Sequence, residues 1–290
     1  MFRTKRFAFL ALILVMCISS TVMGQQINTP APSPSSKLMQ TVGLVDVTID
    51  YSRPGKKGRE IFGNLVPYGK VWRTGANAST KITFSGDVML EGKSVPAGTY
   101  AIYTKPGKSQ WTVMLYKDLS LGGRVAGYDE AKELTRFMVT PVANSRSVES
   151  FTINVDGMNN TGATINIMWD KVIAPIKMTV DTDAAVIAQI ERFAKNPTMP
   201  LANDYFSAAS YYLGLKKDLD KALTWIDKAI EIRPNAFWMV RTKSLIQAEM
   251  GEYKEAIKTA EKSMKQAQQA NNADYVKLNE DSIKGWKGKK

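Results

Sequence analysis

Histidine is absent from the 290 residues, and cysteine occurs once, at Cys17. Without histidine there is no Ser-His-Asp or Cys-His triad, no His-liganded zinc or haem, and no imidazole proton transfer. A single cysteine excludes a disulfide framework and a Cys-rich metal site within one chain. Long apolar runs are also missing: the longest stretch, Phe7 to Ile18, is too short to cross a hydrocarbon core of about 30 Å as a helix. No phosphate-binding glycine loop is present. Gly122-Gly123-Arg124 has neither the spacing nor a following Lys-Ser/Thr. Asp156-Gly-Met-Asn-Asn160 carries enough oxygen for calcium but reads first as a turn. The expectation is therefore no cofactor, no metal and no assigned catalytic residue.

The first 24 residues have the grammar of an export signal: Arg3, Lys5 and Arg6, then the apolar stretch, then Val22-Met23-Gly24 at the cleavage position. Cleavage there removes Cys17 and leaves no transmembrane segment. It implies an exported protein, periplasmic or extracellular, where a lone thiol is a liability. The net charge is +12; removing three signal cations leaves +9. A basic surface serves solubility and also favours anionic partners. No motif for nucleic-acid recognition is present.

Residues 25–37 include Thr29-Pro-Ala-Pro-Ser-Pro-Ser-Ser36 and read as a flexible linker. From 38 to 180 the period is two. Val45, Val47, Ile49 and Tyr51 alternate with Asp46, Thr48 and Asp50. Similar short runs recur at Lys81–Phe84, Asp87–Leu90, Thr99–Thr104, Trp111–Lys117, Leu134–Val139, Ser150–Val155 and Ala163–Trp169. Asp118–Lys132 is less regular. About eight short strands with turns between them predict an antiparallel β-sandwich or barrel-like domain.

From 181 to 290 the period is helical. Leu219, Ala222, Leu223, Ala229 and Ile230 recur 34 residues later as Tyr253, Ala256, Ile257, Ser263 and Met264. Asp181–Lys195 reads as a preceding helix and Ala273–Trp286 as a capping one. This pattern, over about 203–270, resembles the tetratricopeptide repeat. The first-helix positions depart from it, with Phe206, Ala209 and Ser210 in one unit and Val240, Lys243 and Ser244 in the next. The resemblance implies a helical-repeat domain that docks a protein partner. The fold class expected is α+β, an antiparallel β domain followed by an all-α domain.

The most distinctive segment runs from Asp50-Tyr-Ser-Arg-Pro-Gly-Lys-Lys-Gly-Arg-Glu-Ile-Phe-Gly63 into Leu65-Val-Pro-Tyr-Gly-Lys-Val-Trp-Arg-Thr-Gly-Ala-Asn77. With Val95-Pro-Ala-Gly-Thr-Tyr-Ala-Ile-Tyr103 it resembles the domain-of-unknown-function family 2911. That resemblance implies a β-rich secreted domain and brings no catalytic role. Within the segment, Arg53, Arg59, Glu60, Tyr68, Trp72, Arg73 and Asn77 are the candidate ligand-binding residues. Arginine pairs with carboxylate or phosphate, and aromatic rings stack on sugar faces. Two readings stand side by side: these groups form a cleft for an anion or glycan, or they clamp a long loop internally.

Three functions follow. The first is a non-enzymatic binding protein with a ligand-holding β domain and partner-docking helices. The second is a carboxylate-dependent hydrolase of a glycan or peptide, using Asp50 or Glu60. The third is a structural envelope component. Asp46 and Asp50 share a strand face, but four residues at ~3.3 Å each put them about 13 Å apart, too far for a glycosidase pair.

Overall fold

The computed structural model describes residues 29–196 and 200–289. The expected export signal, residues 1–24, lies outside the described residues. The chain forms two compact units, with the boundary between Thr182 and Asp183.

Among the described residues the first unit holds ten strands in two antiparallel sheets. One has the order β1 (Ser35–Val42), β2 (Val45–Ser52), β3 (Thr80–Phe84), β6 (Gly98–Lys105), β7 (Trp111–Tyr116), β8 (Glu133–Val139). The other has the order β5 (Lys93–Val95), β4 (Val88–Leu90), β10 (Gly162–Thr179), β9 (Val142–Asn159). Alternation in β2 buries Val45, Val47, Ile49 and Tyr51, and they meet Phe151, Ile153, Ile165 and Ile167 from the opposite sheet in one core. Each such aliphatic or aromatic side chain contributes roughly 1.5–3 kcal/mol by leaving water. Two sheets sharing a core is the face-to-face solution to burying one side of each.

Strand β6 breaks the alternation, because both of its faces are covered. Tyr100 and Ile102 enter the main core, while Ala101 and Tyr103 join Met114 and Tyr116 in a second cluster. That second cluster lies against Val71, Leu119, Leu121 and Tyr128, so residues 118–132 act as a strap over the outer face of β6 and β7. The strap contains three short 3-10 turns. It is tied by Lys132 Nζ to Asp118 Oδ2 at 2.7 Å and by Tyr128 donating to Glu133 Oε1 at 2.6 Å.

Two expectations are corrected. Ser35, Ser36 and Lys37, assigned to the linker by composition, open β1 and pair with Ser52, Tyr51 and Asp50. Pro34 O also accepts from Arg53 N at 2.8 Å. Serine-rich composition forecasts a loop, but an edge strand needs only main-chain partners. The runs Ser150–Val155 and Ala163–Trp169 are the middles of two 18-residue strands joined as a long hairpin. Register shifts on either side of Asp170 interrupt the period that sequence reading relies on.

The second unit contains six helices: α1 (Thr182–Lys195), α2 (Ala202–Leu215), α3 (Leu219–Ile232), α4 (Phe237–Glu249), α5 (Tyr253–Gln269) and α6 (Ala273–Trp286). The chain is thus α+β, with antiparallel sheets followed by helices. Helices α3 and α5 begin at Leu219 and Tyr253, the residues that opened the repeat in sequence. Ala222 and Ala229 in α3, and Ala256 and Ser263 in α5, are fully buried. Small residues there let neighbouring helices approach closely. Lys243, the departure from the repeat pattern, turns outward to Asp227, 2.6 Å away. Asn279 of α6 is buried and donates to Ser263 Oγ at 3.0 Å, while Ser263 donates to Phe237 O at 2.8 Å. One polar chain therefore links α4, α5 and α6. Among the described residues no helix is long and apolar enough to cross a membrane.

A cationic cleft floored by tryptophan

The long segment between β2 and β3 is ordered by its own hydrogen bonds. Val66 N donates to Ile61 O, Gly63 N to Val66 O, and Trp72 exchanges both main-chain bonds with Thr104 of β6. Residue 72 thus continues the sheet where β3 has ended. A tight turn follows, with Thr74, Gly75 and Asn77 all at positive φ. Trp72 Nε1 donates to Gly75 O at 3.1 Å across it. Gly75 sits at φ 150°, and a Cβ there would come within 3.3 Å of Ser52 O and Thr80 Oγ1. Glycine suits both the conformation and the space. Buried Thr74 and Thr104 share a hydroxyl hydrogen bond of 3.1 Å, which fixes the turn on β6.

From the other sheet, Trp169 of β10 donates its indole N–H to Glu149 O at 3.2 Å. Next to it, Asp170 stands at φ 51° in the bulge. Its carboxylate accepts from Lys56 Nζ at 2.6 Å and from Ser147 Oγ at 2.8 Å. Lys56 first, and then the Ser147 hydroxyl, hold that carboxyl below its usual range. The bulge therefore pins the 53–60 loop beside Trp169. Trp72 stacks on Trp169 with ring centroids 6.0 Å apart and 17° between planes.

These elements enclose a cleft of about 400 Å³. Trp72 and Trp169 line it, with Pro54, Leu65, Val66 and Pro67 as apolar wall and Arg59, Lys70 and Arg73 as its charged groups. Among the described residues no carboxylate lines the cleft. None of the three cations takes part in an ion pair among the described residues. Arg59 is tethered only by main-chain oxygens, its Nε to Lys56 O at 2.9 Å and Nη2 to Gly55 O at 2.5 Å. Arg73 Nη1 donates to Gly123 O at 3.2 Å, while its Nε is buried with no acceptor. The strap reaches the cleft at this point: Val125 lines it, and Gly123 packs so tightly that a Cβ there would lie 2.0 Å from Asn77 O.

The seven candidates fall into three groups. Arg59, Trp72 and Arg73 meet in the cleft. Arg53 and Asn77 are clamps. Arg53 Nε donates to Phe151 O at 3.0 Å and Nη2 to Thr152 Oγ1 at 2.7 Å, joining β2 to β9. Asn77 Nδ2 donates to Ser33 O at 3.2 Å and Ser52 Oγ at 3.3 Å. Glu60 is exposed and does not line the cleft. Tyr68 lies instead in a neighbouring depression with Phe62, Lys108, Trp111 and Lys171. Some residues of the segment thus line a cleft, while others are tied by hydrogen bonds within the domain. Sequence reasoning missed Trp169, whose place at the end of an apolar strand marks it as core. It also left Lys70 out of the candidate set, although Lys70 lies in the same basic and aromatic run.

The fold and site define an antiparallel two-sheet domain carrying a cationic, tryptophan-floored cleft, joined to a helical unit. Residues 33–178, just over half of the chain, match the family model described as Protein of unknown function (DUF2911), and the chain belongs to that family. Comparison with curated proteins and with solved structures finds no significant match.

Proposed function

We propose that the protein is an exported, non-enzymatic binding protein whose β domain holds an anionic ligand with a flat or apolar body. The observation that carries this reading is the cleft's charge. Among the described residues three cations line it, no acid does, and none of the three takes part in an ion pair. Arg53, by contrast, spends its guanidinium on Phe151 O and Thr152 Oγ1 of β9 and lies outside the cleft. Cations left without counter-charge beside tryptophan suit a bound carboxylate or phosphate. The hydrolase reading gains no support, because its acids lie elsewhere. Asp50 is 3.8 Å from Lys37, and Glu60 is outside the cleft.

In the second unit, helix starts 34 residues apart and buried small residues at matching places support tetratricopeptide-like hairpins that dock a protein. Exposed Ile232 and Leu278 are the apolar side chains to probe. A photo-crosslinker at either position should capture a partner that one at Met39, on β1, does not; equal capture at all three removes this part of the reading.

Calorimetric titration of the purified protein with mono- and polycarboxylates, phosphates and their neutral analogues tests the cleft. Saturable binding of an anion, weakened by salt and by Arg73→Ala, is expected. Equal binding of neutral analogues, or no binding of any anion, contradicts it.

A further inference from the structure

The depression that holds Tyr68 is a second feature of the same surface. It has a volume of about 220 Å³ and is lined by Lys108 and Lys171, again with no carboxylate. Lys108 Nζ lies over the exposed Tyr68 ring, 5.9 Å from its centroid, and among the described residues neither lysine takes part in an ion pair, although Lys171 is close enough to help hold the Asp170 carboxyl below its usual range. Pro67 lines the tryptophan cleft and its neighbour Tyr68 lines the depression, so one turn of chain separates the two. An unbroken aromatic row runs beneath both. Trp169 stacks on Trp72, Trp72 meets Phe62 at 6.2 Å, and Phe62 meets Trp111 at 4.9 Å.

From this continuity we infer that the cleft and the depression are successive subsites for one acidic oligosaccharide, a chain of carboxylate-bearing sugar rings. This rests on the anion-binding reading of the cleft and extends it. Five cations spread over two adjoining hollows match a ligand with charge repeated along its length rather than one small anion. Tyr68 offers an exposed ring of the kind sugars stack on, and Trp72 lines the adjoining cleft. An extended acidic peptide fits less well, because it is held largely by main-chain hydrogen bonds. Here several main-chain groups between the two hollows are already used: Gly69 N donates to Pro106 O, Lys70 N to Pro67 O, and Trp72 uses both groups on Thr104. Pro54, Pro67 and Pro141 have no N–H to give.

Calorimetry with oligogalacturonates of one to six rings, with neutral oligomers of the same lengths and with short poly-glutamate, tests the inference. Affinity for the acidic sugars should rise at least about tenfold from the shortest to the longest, since a second subsite engaged through the same chain raises effective concentration. The double variant Lys108→Ala/Lys171→Ala, at exposed side chains, should abolish that rise and leave the single ring unaffected. Binding of acidic sugars without length dependence overturns the two-subsite inference and leaves the anion cleft standing. Preference for poly-glutamate overturns the sugar assignment. No binding of any anion overturns both.

Discussion

Trp72 and Trp169 lie 97 positions apart in sequence and stack with 17° between their ring planes. One comes from the long loop after β2, the other from the bulged middle of β10. Their contact brings the loop's arginines and the second sheet together at one cleft. It also makes the loop's order depend on both sheets.

Arg53 and Arg73 should separate stability from binding. Arg53→Ala removes two charge-assisted hydrogen bonds to β9, a loss of about 1.5–3 kcal/mol, with little change in ligand affinity once the protein is folded. Arg73→Ala should do the reverse. Denaturant unfolding and calorimetric titration of both variants check this; equal destabilisation by the two would make Arg73 a clamp as well.

Gly123 seats the strap against the cleft turn. Gly123→Ala places a methyl 2.0 Å from Asn77 O, which forces the strap outward at a cost of roughly 1–3 kcal/mol. Hydrogen exchange should quicken across 118–132 and stay unchanged in the helices. Unchanged protection of the strap would contradict this seating.

The strap should also respond to acid. Asp118 is lowered to about 2, first by the Lys132 side chain and then by the Ser120 hydroxyl and amide. A depressed carboxylate stabilises the fold above its unfolded pKa of about 4 and loses that contribution as pH falls through its folded value. Between pH 4 and about 2 the near-ultraviolet circular dichroism of the Tyr103, Tyr116 and Tyr128 cluster should change. Asp118→Asn should show the low-pH signal already at neutral pH. A spectrum identical to wild type in that variant would remove Asp118 from the strap's support.

Ala229 tests the helical unit. It is fully buried in α3, so Ala229→Leu should overpack the contact with its neighbours at about 1–3 kcal/mol. Ala229→Ser, close in volume, should be milder. Thermal unfolding of both variants distinguishes this from a loosely packed interface, in which leucine would be tolerated.

Much of this architecture is legible in the sequence, because burial imposes a period. Val45 to Tyr51 announces a half-buried strand, and the recurrence of Leu219 as Tyr253 announces paired helices. Where burial is two-sided, as at Ala101 and Tyr103 of β6, the period vanishes and the covering strap is invisible. Ser35–Lys37 escaped because an edge strand is built from main-chain bonds that no side chain signals. At the cleft, the local run around Trp72 and Arg73 identified half of the wall. The rest, Trp169 and Val125, arrives through tertiary contact, and which arginines line the cleft and which tie strands together depends on partners distant in sequence.

We propose that the tryptophan-floored cleft binds an anion. Intrinsic tryptophan fluorescence, followed while an acidic oligosaccharide is added to wild type and to Lys70→Ala/Arg73→Ala, tests it most directly. The account predicts a saturable change in wild type that weakens with salt and is lost in the double variant. A change of the same size and midpoint in both proteins, or none in either with any anion, would contradict it.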